Sequence, residues 1–369
     1  MLIVEFLVTE KCNLECTYCY MENKQKFMNI ESVDIFLNSV QTILDLYNEK
    51  SYHISFFGGE PLLNWNIVKE ATKKFKCDER CASIVIITNG LEINEEKIKF
   101  IKENNIGVSL SFDGIWNNEN RPYYKNNISS FNKYLEKKQL IKELSGGSCK
   151  VMVSPYNIYT MTENFEFFVN EYGFSFPDFS LVRDDIWTDN DVEIFNKEIK
   201  RLADKVILLN KSNINCNVGF FILYTLDMLY GKKIGKRKFG CFAGVNGVCF
   251  TSDNKYFPCA RFASQEEYLL YDANTRTFNI ENINFLKRPE ITNTHEFLEC
   301  KECELYNVCN AGCTYSQMKN GLNENRSKPI ENLCKIMKMC YRESFRVYEE
   351  LKETPQYVDY LKHRIKNVN

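Results

Sequence analysis

The stretch Leu2-Ile-Val-Glu-Phe-Leu-Val8, followed at once by Thr9-Glu-Lys-Cys12-Asn-Leu-Glu-Cys16-Thr-Tyr-Cys19-Tyr20, decides how this chain is built. The apolar run predicts a first β-strand, and the three cysteines follow it at the spacing C-x3-C-x2-C. Three thiolates in one short segment can hold three irons of a four-iron cluster and leave the fourth iron open. Thiolates also bind zinc, but a structural zinc site needs a fourth local ligand, which the segment does not offer. The run therefore predicts an iron–sulfur site with one open position.

Beyond this stretch, short apolar runs alternate with amphipathic ones. Strands are predicted at Leu2–Val8, His53–Phe57, Ser83–Thr88, Ile106–Phe112, Lys150–Ser154 and Phe176–Val182. Helical patterns follow them at Ile30–Leu46, Asn66–Phe75, Asn94–Glu103, Ser129–Glu143, Thr162–Glu171 and Asp191–Leu209. Six βα units predict an α/β fold whose parallel sheet curls into a partial (β/α)6 barrel of the TIM type. The cysteine run and Gly58-Gly-Glu-Pro61 then share the carboxyl edge of the strands, where barrel enzymes carry their chemistry.

After about residue 212 the pattern changes. Short strands, a hairpin and cysteine-dense loops are predicted over residues 241–313, and a helical tail over about 330–365. We therefore expect two domains, residues 1–212 and 213–369.

Composition limits the classes of function. The 369 residues carry 47 Lys and Arg against 49 Asp and Glu, a net charge of −2 that disfavours a nucleic-acid partner. No signal peptide and no run of membrane-spanning length is visible, so neither export nor a membrane partner is expected. Sixteen cysteines in such a chain indicate metal sites in the reducing cytoplasm rather than a disulfide framework.

Three motifs together resemble the radical S-adenosylmethionine (SAM) enzymes: the cysteine run with an aromatic residue before its third cysteine, the Gly-Gly-Glu-Pro segment, and Ser111-Phe-Asp-Gly114. The resemblance implies that Cys12, Cys16 and Cys19 hold a catalytic [4Fe-4S] cluster whose open iron chelates SAM. Reductive cleavage of SAM would then release a 5′-deoxyadenosyl radical. The implied SAM-binding residues are Tyr18, Gly58, Gly59, Glu60, Pro61, Ser111 and Asp113.

The motifs suggest a role for each of these residues. The two glycines would let the backbone approach the methionyl part of SAM, and Glu60 or nearby carbonyls would take its ammonium. Ser111 would bond the ribose, and Tyr18 would rest against the adenine. Asp113 either supports that loop or, with Gly114, marks an ordinary turn.

The remaining cysteines resemble the SPASM domain that extends radical SAM enzymes acting on peptides and proteins. They are Cys241, Cys259, Cys300-x2-Cys303-x5-Cys309-x3-Cys313 and Cys334. Asn254 stands where the family has a glycine, and asparagine tolerates the left-handed turn. The resemblance implies two auxiliary [4Fe-4S] clusters, three clusters in all. One would be held by Cys300, Cys303, Cys309 and Cys334, and the other by Cys241, Cys259 and Cys313.

The second auxiliary set lacks a fourth ligand. A tight turn at Asp253-Asn254 would place Cys249 opposite Pro258 and diagonal to Cys259, which makes Cys249 either that ligand or a buried strand thiol. Cys216 is a weaker candidate, and the iron is otherwise open to a substrate thiolate. Cys77, Cys81, Cys149 and Cys340 are assigned no function. The basic run at 232–238 is either a solvated loop or a binding site for an acidic leader peptide.

The implied function is an oxidoreductase that matures a ribosomally synthesised peptide (a RiPP). The radical would abstract a hydrogen from the precursor, and a crosslink would form, with a cysteine thioether expected and a carbon–carbon bond as the alternative. An anaerobic sulfatase-maturing enzyme is a further alternative. It is disfavoured because Ala260-Arg261 follows Cys259 where that family has an aspartate base. A non-enzymatic electron-transfer protein would not need the SAM motifs.

The expected partners are the precursor peptide and an electron donor such as flavodoxin or ferredoxin. The cluster motif begins at residue 12, so the leader is expected to be bound by the barrel mouth, by the SPASM part or by a separate protein.

Overall fold

The computed structural model describes most of the chain: residues 1–21, 25–125, 128–144, 146–230, 241–286, 298–309, 312–320 and 329–366, with side chains described to residue 362. The basic run at 232–238 lies outside these residues. The strands are β1 (Leu2–Thr9), β2 (Tyr52–Gly58), β3 (Cys81–Thr88), β4 (Gly107–Ser111), β5 (Ser148–Val153), β6 (Pro177–Leu181), β7 (Gly247–Phe250), β8 (Lys255–Phe257), β9 (Tyr271–Asp272) and β10 (Thr277–Phe278).

The α-helices of the described residues alternate with these strands in the first half of the chain and dominate its end. They are α1 (Ile30–Tyr47), α2 (Trp65–Lys76), α3 (Glu95–Glu103), α4 (Asn117–Asn120), α5 (Ser130–Glu136), α6 (Lys138–Lys142), α7 (Met161–Phe167), α8 (Asp189–Lys211), α9 (Gly219–Tyr230), α10 (Ile280–Leu286), α11 (Leu298–Lys301), α12 (Thr314–Asn320), α13 (Glu331–Leu351) and α14 (Pro355–Lys366). Among them none is long and apolar enough to cross a membrane.

The chain forms two compact units. The first comprises residues 1–112, 117–147 and 241–292, and its strands lie in the order β10-β9-β8-β7-β1-β2-β3-β4. Strands β1 to β4 are parallel to one another and β7 is parallel to β1, whereas β8, β9 and β10 follow β7 as antiparallel strands. The second unit comprises residues 113–116, 148–240 and 293–369 and contains the parallel pair β5 and β6.

Aromatic side chains fill the core of the first unit. Phe6 of β1 lies 5.1 Å from the ring of Phe36 on α1, 5.3 Å from Phe75 on α2 and 5.4 Å from Phe250 on β7. Each such pair contributes roughly 0.5–1.5 kcal/mol beyond the burial of its area. Phe6 therefore joins β1 to α1, α2 and β7 in this core.

Local signals fix the helix starts. Asn29 and Asn94 accept hydrogen bonds from the N–H groups of Ser32 and Lys97, which caps α1 and α3. In the second unit Thr188 and Asp191 form a reciprocal capping box at the start of α8.

The predicted α/β fold class is confirmed: six parallel strands alternate with helices and are followed by hairpins and a cysteine-rich region. Every predicted strand and helix of the first half lies within a few residues of its position, and the predicted helix at 129–143 is divided into α5 and α6. The domain division at residue 212 stays a prediction.

The predicted register of the hairpin is wrong. Cys249 pairs with Phe257, not with Pro258, because the connection is a three-residue loop and not a two-residue turn. Asn254 ends that loop at φ +62, and Thr251 and Lys255 pair across it. The left-handed turn at Asn254 is as predicted.

Candidate functional site

The cysteine loop follows β1 and is folded back on itself. The N–H of Cys19 donates to the carbonyl of Cys16 at 3.0 Å, and the N–H of Leu14 donates to the sulfur of Cys12 at 3.3 Å. Cys12 and Cys16 are half-buried, and Cys19 is exposed. The three predicted ligands thus belong to one compact turn.

Residues 120–124 hold this loop in place, which the motifs did not predict. The N–H groups of Glu15 and Thr17 donate to the carbonyls of Pro122 and Asn120, at 2.8 and 3.0 Å. The guanidinium of Arg121, only 6% exposed, lies 5.3 Å from the ring centre of Tyr18. A buried arginine therefore already covers one face of the ring that was predicted to meet the adenine.

Electrostatics disfavours three free thiolates here. Burial raises the pKa of the Cys12 thiol, the Glu60 carboxylate raises it further, and Cys16 and Cys19 add to the rise. Thiols that raise one another's pKa lose their protons readily only when a cation binds them. The group thus fits an iron–sulfur cluster, which would supply the reducing electron when bound.

Gly58 and Gly59 pack directly against the chain that leads into the cysteine loop. A Cβ on Gly58 would lie 2.0 Å from the carbonyl oxygen of Thr9, and one on Gly59 would lie 2.2 Å from that of Lys11. The N–H of Gly59 donates to Thr9 and that of Glu60 to Lys11, at 2.9 and 2.8 Å. The absence of a side chain at both glycines is therefore required by this backbone contact. Their predicted approach to SAM stays a prediction.

The Glu60 carboxylate joins two strand ends. It accepts hydrogen bonds from Thr88 Oγ1 at 2.6 Å, from the N–H of Asn89 at 2.7 Å and from the N–H of Leu62 at 3.0 Å. Its side chain is fully buried, and burial raises the pKa of Glu60 to about 7 against the three donors that lower it. Glu60 therefore fixes the segment after β2, with Pro61 beginning a short 3₁₀ turn, against the end of β3.

An amide network extends from Glu60 to the cysteine loop. Asn89 Nδ2 lies 2.8 Å from Asn13 Oδ1 and 4.0 Å from the sulfur of Cys12, and Asn13 Nδ2 donates to Glu92 Oε1 at 3.1 Å. The segment Thr88-Asn89-Gly90 thereby reaches the first cysteine.

Ser111 ends β4 in the first unit, half-buried, and its carbonyl accepts a hydrogen bond from Tyr134 at 3.2 Å. Asp113 lies in the second unit, fully buried, where Oδ1 accepts from the N–H of Met152 at 2.8 Å. Gly114 follows it at φ +62. Asp113 thus anchors β5 beside a turn, and its support of a SAM-binding loop stays a prediction.

A second thiol cluster lies in the other unit. A cavity of about 480 Å³ is lined by five predicted ligands, Cys300, Cys303, Cys309, Cys313 and Cys334. Burial and, after it, the neighbouring cysteines of the set raise the pKa of Cys300 and of Cys334 to about 11. Thiols whose ionised forms repel one another in this way fit the iron of an iron–sulfur cluster. Among the described residues, no three His, Cys, Asp or Glu side chains stand ready to hold a single metal ion.

The other auxiliary ligands lie in the first unit. Cys241 and Cys259 are half-buried, and Cys249 is fully buried on β7. Cys259 comes two residues after Phe257, the strand partner of Cys249, and Cys249 has its pKa raised by burial, then by Glu5 and Cys259. Cys249 stays a candidate ligand, now on the same side of the hairpin as Cys259. Cys216 is buried in the second unit.

Glu5 ties the segment after Cys259 to the first strand. Its carboxylate accepts a hydrogen bond from the N–H of Ala260 at 2.6 Å, and burial raises the pKa of Glu5. The guanidinium of Arg261 lies 4.5 Å from the ring centre of Tyr20, next to Cys19. No sequence motif indicated either contact, because each joins residues about 240 or more positions apart.

Comparison with known proteins agrees with this geometry. Residues 6–166 match the family model of the Radical SAM superfamily. The cysteine-type anaerobic sulfatase-maturating enzyme of Clostridium novyi (strain NT) is 27% identical over 348 residues, 86% of this chain and 89% of that protein.

Two solved structures share the fold. Native anSMEcpe with bound AdoMet and the Cp18Cys peptide superposes with a TM-score of 0.68 at 21% identity over 100% of both chains. Streptococcus suis SuiB bound to precursor peptide SuiA superposes with a TM-score of 0.60 at 16% identity, over 90% of this chain and 75% of SuiB.

Proposed function

We propose that this chain is a radical SAM enzyme, a cytoplasmic peptide maturase that forms a crosslink, a cysteine thioether, in a ribosomally made precursor. The observation that carries the proposal is the second thiol cluster. Five cysteines line one cavity, in addition to the loop of Cys12, Cys16 and Cys19. A crosslink that removes two hydrogens leaves an electron to be collected after the radical step, and further clusters are suited to collect it.

The chain's own residues would prepare the first step. The backbone of Glu60 and the segment 120–124 are hydrogen-bonded to the cysteine loop and would fix the three thiolates that hold the cluster. When bound there, SAM would supply the hydrogen-abstracting radical. Three clusters with these ligand sets, and a flavodoxin or ferredoxin as electron donor, belong to this proposal.

Substrate class follows from the relatives. Anaerobic sulfatase-maturating enzymes are among the similar proteins, and both solved structures hold peptides. A peptide is therefore the substrate we propose, with a separate protein to deliver its leader.

Formylglycine formation is the second candidate, favoured by the similarity to the Clostridium novyi enzyme over 86% of this chain. Arg261 counts against it. The segment Ala260-Arg261 follows Cys259, and the guanidinium, which stays charged and accepts no proton, lies 4.5 Å from the ring centre of Tyr20.

Anaerobic co-expression with short cysteine-containing peptides, followed by mass spectrometry, tests the proposal. A thioether gives the loss of two hydrogens and protects the cysteine from alkylation. A carbon–carbon crosslink gives the same mass but leaves the thiol free. An aldehyde captured by a hydrazide probe would instead establish formylglycine, and 5′-deoxyadenosine absent from every reaction would leave only an electron-transfer protein.

A further inference from the structure

Arg183 lies at the wall of the thiol cavity in the second unit, and no sequence motif includes it. It follows β6, whose pairing is continued by the N–H of Val182 donating to Val153 at 2.8 Å. Trp187 Nε1 then donates back to the carbonyl of Val182 at 2.9 Å. Arg183 thus stands in a short loop closed at its base.

The same loop is held at its tip. Asp184 accepts a hydrogen bond from Ser316 of α12 at 2.6 Å, and the carbonyl of Trp187 accepts one from Asn332 of α13 at 2.7 Å. Both helices carry walls of the cavity. The position of Arg183 is therefore fixed on the elements that also carry Cys334.

Gly312, next to Cys313, leaves room for the arginine. A Cβ there would lie 3.1 Å from Arg183 Nη1 and 3.1 Å from Gln317 Nε2, and the φ of Gly312 is +92. Two nitrogen donors thus converge on the backbone beside a predicted ligand. Nitrogen donors close to cluster sulfurs are one of the known means by which proteins change cluster potentials.

The charged side chains that line the cavity differ in the partners they contact. Lys335 is engaged by Asp189 and Glu331, each at 3.0 Å. Arg183 and Lys338 are the other cations of the lining. Glu299 and Glu331 are the acidic residues of the lining. Arg183 combines a positive charge at the wall of the cavity with a guanidinium nitrogen beside Gly312.

We propose that Arg183 is the charge partner of the iron–sulfur cluster held by this cavity and makes that cluster easier to reduce. The inference rests on the proposed function for the presence of the cluster. One-electron reduction adds one negative charge to the cluster, and a fixed cation within the cavity stabilises the reduced form over the oxidised one. The arginine would therefore favour the uptake by the cluster of an electron from the substrate radical.

A full-length background variant isolates the cluster: Cys12→Ala, Cys16→Ala, Cys19→Ala, Cys241→Ala and Cys259→Ala leave the cysteines of the cavity. After anaerobic reconstitution, bound iron is measured and the cluster is titrated by EPR at defined solution potentials. Arg183→Met should lower the ratio of reduced to oxidised cluster roughly tenfold at fixed potential. Arg183→Lys keeps the charge without the fork and should lower it less.

Arg276→Gln, on an exposed turn of the first unit, is the control and should leave the ratio unchanged. An unchanged ratio in Arg183→Met at equal iron content overturns the proposal. If that variant does not load iron, Arg183→Gln, which also removes the charge, is titrated in its place, and an unchanged ratio at equal iron content overturns the proposal. The titration uses neither SAM nor peptide. A peptide that stays unmodified in the co-expression assay would therefore refute the proposed function, whereas the role of Arg183 is decided by the titration.

Discussion

At the scale of single residues, Gly59 shows that a motif glycine can be required by close packing of the backbone. Its missing Cβ would stand 2.2 Å from a backbone oxygen that cannot move without displacing the cysteine loop. Gly59→Ala should cost about 2–3 kcal/mol of stability by overpacking and reduce the iron bound by the first loop. Urea unfolding and iron analysis of the reconstituted protein measure both.

Gly146→Ala is the matched control, because nothing lies within 4 Å of a Cβ at that position. Equal losses in the two variants would mean that the close contact at Gly59 is unimportant.

Glu60 makes a second prediction of this kind. Its two carboxylate oxygens accept three hydrogen bonds, but the amide of Glu60→Gln has one acceptor and would turn its own N–H groups toward a donor. A buried donor without a partner costs about 1–3 kcal/mol. We expect a lower unfolding midpoint in urea and weaker SAM binding by calorimetry. Glu193→Gln, exposed on α8, should change neither, and a wild-type midpoint in Glu60→Gln would contradict the role assigned to this carboxylate.

At the scale of elements, the connection from α2 to β3 depends on a charged pair. Arg80 donates to both carboxylate oxygens of Asp78, at 2.9 and 2.8 Å, and Tyr52 donates at 2.9 Å. Arg80 above all lowers the pKa of Asp78 to about 2. The folded pKa lies below the ordinary value near 4, so the stabilisation is complete above pH 4 and is lost as the pH falls toward 2.

Asp78→Asn should therefore lower the stability of the apoprotein by about 2 kcal/mol at pH 7, and the gap to wild type should close between pH 4 and 2. Urea unfolding at a series of pH values tests this. Asp359→Asn, an exposed carboxylate of α14, serves as reference. A gap that stays constant with pH would show that the ion pair does not stabilise the connection.

The sequence predicted elements better than contacts. Periodicity located β1 to β6 and the helices between them, because each is encoded by adjacent residues. The predicted register of the hairpin was wrong by one residue, because it depends on whether Asn254 closes a two- or a three-residue loop. Motif spacing identified Cys12, Glu60 and Cys334 as candidate site residues, but not Arg121 or Arg183. These arginines reach their sites from segments distant in sequence, and no local pattern records such contacts.

At the scale of the whole molecule, the two thiol groups lie in separate units, so they should fail separately. Cys309→Ala and Cys334→Ala remove ligands of the cavity but leave the loop of Cys12, Cys16 and Cys19 with its bracing from Glu60 and residues 120–124. We expect these variants to lose iron, to keep cleaving SAM to 5′-deoxyadenosine, and to lose crosslink formation by at least roughly tenfold.

Cys12→Ala should abolish both reactions, because the first step needs an iron with an open position. Cys77→Ala, an exposed thiol outside both groups, should change neither. Deoxyadenosine and crosslinked peptide are quantified in the same anaerobic reaction by liquid chromatography and mass spectrometry, so that cleavage and bond formation are compared directly. If Cys334→Ala crosslinks peptide at the wild-type rate, the second unit has no part in the oxidation. Its cysteines would then serve only to hold α11, α12 and α13 together.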